Sequence, residues 1–258
     1  MKKIGITGGT GLLGNLLIKE LKKKKISFSL FKKNILIQKD IIEWLSKNDK
    51  LEYIFHFAAH SSAINSSVNK AKVYDTNVKG TENLVKAVNL KKKKIMKFFS
   101  STSHVYDYSN KPIKENSKLK PSSFYGKTKL LAEKKFFKKK YKYHKYFIAR
   151  IFSVYHNKQK TPFLYPVMKS KLKKLKSRKI YIKGANNIRD FLNAEKLVKI
   201  ILKIFDKRLT GTYNIGSGKG ITIKKFIYNY INKKIIVIND EKPNSLIADI
   251  TKLKKKLI

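Results

Sequence analysis

"TGGTGLLGN" fills Thr7 to Asn15 and stands directly behind the short apolar run Ile4-Gly5-Ile6. Four glycines fall within the eight residues Thr7 to Gly14. Glycine costs entropy inside regular structure, so such a cluster marks backbone that bends sharply or comes close to another group. Behind it Leu13, Leu17 and Leu21 recur every fourth residue, with Leu12 and Leu16 beside them, which is the period of a helix. Strand, glycine turn and helix in that order direct free backbone N–H groups and a helix dipole at a phosphate. The spacing Gly8-x-x-Gly11-x-x-Gly14 differs by one residue from the dinucleotide fingerprint G-x-G-x-x-G. A tight turn with no ligand fits the glycines equally well, so the rest of the chain has to decide.

Outward from the turn, strand-like and helix-like stretches alternate. Lys2–Thr7, Ile26–Phe31, Tyr53–Ala58, Ile95–Ser101, Tyr146–Ile151 and Thr212–Ile215 read as strands. Leu12–Lys25, Thr76–Leu90, Tyr125–Lys138 and Ala194–Phe205 read as helices. The alternation predicts an α/β fold, a doubly wound parallel sheet of the Rossmann type covered on both faces. Ligands then collect at the carboxyl ends of the strands. The link from Phe31 to Ile42 is too short for a crossover helix and predicts an abbreviated sheet edge. Thr161–Gly184, with Pro162 and Pro166 ahead of a lysine-rich helix, and the tail Ile221–Ile258 read as a lobe over the strand ends. The expected division is a nucleotide-binding domain at 1–160, to which the strand near 212–215 returns, and a small C-terminal substrate lobe at 161–258.

At 258 residues, 42% of them hydrophobic, the chain can build one sizeable core. It has no cysteine, which excludes disulfides and thiolate metal sites, and no metal is expected. No apolar run approaches membrane-spanning length and no long h-region opens the chain, so a soluble cytoplasmic protein is expected. The net charge of +45 would ordinarily suggest a polyanion partner. Yet of 61 basic residues only Arg150, Arg178, Arg189 and Arg208 are arginines, and nucleic-acid recognition favours the arginine fork. The lysines are spread in runs such as Lys22–Lys25, Lys91–Lys94 and Lys254–Lys256. This is the pattern of compositional drift rather than of a dedicated site, and no specific nucleic-acid partner is expected.

Two stretches carry candidate chemistry. In "YGKTK" Tyr125 and Lys129 are four apart and share one face of a helix. An ammonium near the phenol would lower its usual pKa of about 10 and make Tyr125 an acid/base near neutrality. In "FFSSTSHVYD" a buried strand runs into Ser100-Ser101-Thr102-Ser103, where a hydroxyl at the strand end can reach a substrate oxygen. With 14 tyrosines and so many lysines, a Tyr-x-x-x-Lys pair alone has little weight.

Taken together, Gly8-x-x-Gly11-x-x-Gly14, "HFAA" at His56–Ala59, "NVKGT" at Asn77–Thr81, "SSTSHVY", "YGKTK" and "RIF" at Arg150–Phe152 resemble the extended short-chain dehydrogenase/reductases. The resemblance is to their NAD-dependent epimerase/dehydratase group, which acts on nucleotide sugars. It continues through "RDF" at Arg189–Phe191, "GTYNIGSG" at Gly211–Gly218 and "KPNSLIADITK" at Lys242–Lys252, nearly the whole chain. It implies NAD or NADP, with Gly8, Thr10, Gly11 and Gly14 at the pyrophosphate and Leu12 and Leu13 opening the helix. Asp40-Ile41 matches a pair beside adenine. Phe57, Ala58 and Ala59 pack near the cofactor, with Asn77, Ser100 and Phe152. Thr102, Tyr125 and Lys129 form the catalytic set. Ser101, Thr102, Ser153, Arg189 and Lys242 face a nucleotide-diphosphate sugar, Arg189 at the diphosphate. The resemblance also admits a homodimer.

Departures from the family pattern bear on the substrate. Phe31-Lys32-Lys33 stands where NAD users often carry an acidic residue, which tilts the reading slightly to NADP through Lys32. Ser103-His104 replaces the Asp-Glu pair of dehydratases and disfavours 4,6-dehydration. Ser153 takes the place of an asparagine, and Lys242 that of an arginine. The implied activity is epimerisation or 4-ketoreduction of a nucleotide sugar. The alternative is a Rossmann protein that binds NADP or polyanions without catalysis.

Overall fold

Ile4 and Ile6 are fully buried from β1 (Lys3–Thr7), and the main sheet is built outward from that strand. The computed structural model describes residues 3–61, 69–91, 94–137, 145–173, 179–231, 236–238 and 242–258. Lys2 and Lys138, the ends of two expected elements, lie outside the described residues. After β1 come α1 (Leu12–Lys23), β2 (Phe28–Phe31), α2 (Gln38–Lys47), β3 (Leu51–His56), α3 (Lys70–Tyr74), α4 (Thr81–Leu90), β4 (Met96–Thr102), α5 (Phe124–Phe136) and β5 (Lys145–Ile151). There follow β6 (Ser153–Tyr155), α6 (Leu164–Lys173), β7 (Lys179–Tyr181), β8 (Ile188–Asn193), α7 (Ala194–Asp206) and β9 (Gly211–Ile215). Last are β10 (Gly220–Thr222), α8 (Ile223–Tyr230), β11 (Ile236–Ile238), β12 (Ser245–Leu246) and α9 (Thr251–Leu257).

Six parallel strands run in the order β2-β1-β3-β4-β5-β9. The order reverses between β1 and β3, and a doubly wound sheet opens its ligand crevice at that point. One face of the sheet is covered by α1, α7 and α9, whose Leu17, Ile201 and Leu253 join Phe55, Phe98 and Phe147 in one core. The other face is covered by α2, α4 and α5, with Trp44, Leu84 and Phe136 buried. Both helices α7 and α9 fall after residue 160 yet pack on the main sheet, so the later residues are divided between sheet and lobe.

The link after Phe31 contains a helix after all. Ile41, Trp44 and Leu45 of α2 are buried at helical spacing, and the ten residues Gln38–Lys47 run well past the expected limit at Ile42. The expected helix from Thr76 begins earlier, at Lys70, where the Asn69 side chain caps the Lys72 N–H. It then passes through one wide π-helical turn, Asp75–Gly80, before α4. Such turns shift the register of a helix and re-aim side chains; here Asn77 is turned inward, 1% exposed.

Over the strand ends, β8 is flanked by β10, β12 and β6. Asp190 on β8 is fully buried and accepts hydrogen bonds from the Ser217 and Gly218 N–H groups at 2.6 and 2.9 Å, which fixes the loop after β9. Its neighbours Arg189 and Phe191 point the opposite way, as strand alternation requires, and line the crevice.

Candidate active site

The crevice is a cavity of about 710 Å³. One end is the turn between β1 and α1. The helix starts at Leu12 without a side-chain cap, so the first-turn N–H groups are open to a ligand. The glycines divide their work. A Cβ on Gly14 would stand 2.4 Å from the Gly8 carbonyl oxygen, so the fold itself demands glycine there. A Cβ on Gly11 would meet nothing nearer than the same oxygen at 3.4 Å, an ordinary contact. Gly11 also has an unremarkable φ of −70°. Among the described residues nothing requires Gly11 to be glycine, and the open turn leaves room for a dinucleotide to approach the backbone. Thr10, Leu12 and Leu13 border this end, with Phe57 and Ala59 after β3.

The middle of the cavity is made by β4 and α5. Ser123 caps α5 by accepting the Gly126 N–H at 3.1 Å, which starts the helix at Phe124 and puts Tyr125 in its first turn. Gly126 lets that turn press on the end of β4, since a Cβ there would lie 2.2 Å from the His104 oxygen. Tyr125, Lys129 and Glu133 then share one buried face, at 8%, 2% and 1% exposure. Burial pushes the Tyr125 phenol up to about 12, and its hydrogen bond with Thr102 offsets part of that rise. The expected lowering by Lys129 is absent. Its Nζ lies over the Phe99 ring, 4.3 Å from the centroid, where burial holds the ammonium down to about 7 against the pull of Glu133.

Ser100 and Thr102 lie on one face of β4 and Ser101 on the other. Ser101 also borders the cavity, and its hydroxyl donates to Glu133. Glu133 also accepts from Arg150 Nε and Nη2 at 3.1 and 2.8 Å, and Arg150 Nη1 donates to the Tyr106 hydroxyl and the Glu115 carbonyl, each at 2.9 Å.

A second buried chain braces the site. Asn77 Oδ1 accepts the His60 N–H at 2.8 Å, and Nδ2 donates to Thr128 Oγ1 at 3.1 Å. Thr128 in turn donates to the Tyr125 carbonyl at 2.8 Å. Thr81 donates to the Asn77 carbonyl, so it accepts from His56 Nε2, 2.9 Å away, and His56 Nδ1 accepts from Thr7 at 2.7 Å. Burial, with the Lys129 charge, holds His56 down to about 3, so it stays neutral. Asn77 is thus a brace behind the cavity rather than part of its wall.

Five other expected contacts, Lys32, Asp40, Ile41, Ala58 and Lys242, also lie outside the cavity lining. Ile41 is fully buried among Phe31, Trp44 and Leu84, and Asp40 pairs with Lys33 at 3.5 Å, because α2 replaces the loop assumed there. Lys242 is exposed. Lys32 is exposed and Ala58 half-buried. Phe152, Ser153 and Arg189 do line the cavity. Arg189 is oriented by Asn244, whose oxygens accept at 3.0 and 2.6 Å. Sequence reasoning missed His104, Lys158, Lys160 and a cluster of rings in which Phe191 stacks on Phe226 at 3.9 Å. The β8 alternation could have revealed Phe191; the two lysines are invisible among so many. Among the described residues no cluster of His, Asp and Glu could hold a metal, and no helix is long and apolar enough to cross a membrane.

A dinucleotide-type glycine turn and a buried Thr-Tyr-Lys set thus line one crevice at the strand ends of an α/β sheet. Residues 4–216 match the model of the NAD dependent epimerase/dehydratase family. The chain belongs to that family, and is an NAD(P)-dependent enzyme. It is 29% identical over 230 residues to a GDP-6-deoxy-D-talose 4-dehydrogenase of Aggregatibacter actinomycetemcomitans, covering 86% of this chain and 76% of that one. It is 30% identical over 150 residues to a UDP-glucose 4-epimerase of Lactobacillus helveticus, covering 51% and 45%. The solved structure of RMD from Pseudomonas aeruginosa complexed with NADPH superposes with a TM-score of 0.86 at 19% identity, over 99% and 92% of the chains.

Two outcomes follow from this geometry. Gly11→Ala keeps the thermal stability of the wild type but loses most of its NAD(P) affinity, whereas Gly14→Ala loses stability; titration calorimetry and melting curves separate them. Lys129→Met has a pH signature. Between about 7 and 10.5 the unfolded chain binds a proton at Lys129 that the folded chain does not. Wild-type stability therefore gains with rising pH in that window. Urea unfolding should show Lys129→Met more stable than wild type below pH 7, with the advantage shrinking toward pH 10.

Proposed function

We propose that the chain exchanges hydride at the 4-position of a nucleotide-diphosphate sugar, as a 4-ketoreductase or an epimerase. The observation that carries this reading is the meeting of the Thr102 hydroxyl and the Tyr125 phenol in the cavity that the glycine turn opens. Arg189, Lys158 and Lys160 line the same cavity and supply cations for a diphosphate. The bound nicotinamide supplies or accepts the hydride. Thr102 holds the reacting sugar oxygen by a hydrogen bond. Tyr125, protonated at neutral pH, gives its proton to that oxygen as the carbonyl becomes a hydroxyl. The reverse step needs the phenolate, which the described Lys129 position does not favour, so reduction is the direction this arrangement supports better. The epimerase is the second reading, in keeping with the Lactobacillus helveticus relative.

The finer reading of the cofactor is a modest preference for NADP. It rests on Lys32, which is exposed at the end of β2, since Lys33 is held by Glu43 at 2.7 Å. Lys32→Ala should weaken NADPH binding severalfold and NADH binding little; equal effects would remove the preference.

Tyr125→Phe deletes one hydroxyl and almost no volume. Single-turnover reduction of 4-keto nucleotide sugars, followed by nicotinamide absorbance, should slow by about two to four orders of magnitude with cofactor affinity kept. A variant as fast as wild type would refute Tyr125 as the proton carrier. Net oxidation of the dinucleotide marks a ketoreductase, and turnover without net change marks an epimerase.

A further inference from the structure

His104 borders the cavity, and no step above uses it. It follows Thr102 by two positions in the short turn Ser103–Val105, and its backbone N–H donates to Thr102 Oγ1 at 3.3 Å. Its ring stands edge-on to Tyr125, with centroids 6.0 Å apart and planes at 68°. The contact of Gly126 with the His104 carbonyl fixes the backbone of the turn against α5. The imidazole also feels the charge of Arg189. Among the described residues its ring nitrogens have no hydrogen-bond partner.

The sugar of a bound nucleotide sugar has to span from the reacting oxygen, at Thr102 and Tyr125, to the diphosphate, at Arg189. His104 borders the same cavity, beside Tyr125 and within the field of Arg189. Burial and the Arg189 charge hold the imidazole down to about 4, so at neutral pH it has no proton to give as an acid and is a poor base toward a C–H bond. A neutral imidazole offers one N–H donor and one nitrogen acceptor, the complement of a sugar hydroxyl. We propose that His104 is a specificity-determining residue that hydrogen-bonds a hydroxyl of the sugar other than the one being oxidised or reduced. This rests on the nucleotide-sugar reading above.

Titration calorimetry tests it with UDP-glucose, dTDP-glucose and GDP-mannose, with UDP, dTDP and GDP, and with the 3-deoxy and 6-deoxy forms of whichever sugar binds best. His104→Ala should lose roughly three- to tenfold in affinity for that sugar nucleotide, the usual worth of one hydrogen bond. Its affinity for the parent diphosphate and for NADPH should stay at the wild-type value, which also reports an intact fold. For one of the two deoxy sugars the variant and the wild type should bind alike, because the partner hydroxyl is gone. His104→Gln, which keeps a donor and an acceptor, should recover part of the loss. If His104→Ala binds the best sugar as tightly as wild type, or loses the diphosphate equally, the inference is overturned and the nucleotide-sugar reading stands. If the wild type binds none of the sugars or diphosphates, both fall.

Discussion

The buried ion pair between Glu133 and Arg150 is the fixed point of the site. Taking two charges out of water is expensive, and an ion pair offsets that only when every remaining donor and acceptor is satisfied. Here Arg150 Nη2 reaches Glu133 at 2.8 Å, Nη1 serves Tyr106 and Glu115, and Ser101 completes the carboxylate. Tyr106 passes the network on to Asn214 of β9 at 2.7 Å, and Asn214 donates to the Ile113 carbonyl, also at 2.7 Å. One helix and three strands are thereby locked together. Tyr125 stands two turns along that helix from Glu133, so the phenol takes its place from the pair.

The same helix is held at its other end by uncharged groups. Asn77 and Thr128 tie it to the loop after β3, and Thr81, His56 and Thr7 carry the connection to the residue just before the glycine turn. A continuous chain of hydrogen bonds thus joins the glycine-turn end of the cavity to the backbone of Tyr125. Because His56 is neutral, this brace needs no proton and is indifferent to pH across the physiological range. The ionisable groups that matter, Tyr125 and Lys129, are set by burial far more than by each other.

What the sequence displayed was whatever depends on neighbours in the chain. The glycine turn, the alternating strands and helices, and the four-residue step from Tyr125 to Lys129 were all legible. The helix Gln38–Lys47 was hidden because a short link was judged by length rather than by Ile41, Trp44 and Leu45. Ser100, Ser101 and Thr102 were legible as a strand end at the cavity, but the Ser101 bond to Glu133 was not. Burial was the larger gap. No local pattern reports that the Tyr125 phenol is desolvated, that Lys129 rests on Phe99, or that Arg150 finds Glu133 seventeen residues away. His104 could be read only as a departure from a family pattern until its ring was found beside Tyr125.

If hydride passes between a nicotinamide and carbon 4 of a sugar while Tyr125 handles the proton, an isotope on the nicotinamide must follow it to that carbon. The direct measurement uses reduced dinucleotide deuterated at the transferable nicotinamide position, mixed with the protein and a 4-keto nucleotide sugar in ordinary water. Product is read by mass spectrometry and proton NMR. Direct hydride transfer places one deuterium at carbon 4 of the product. A product whose carbon 4 carries only hydrogen from water would contradict it.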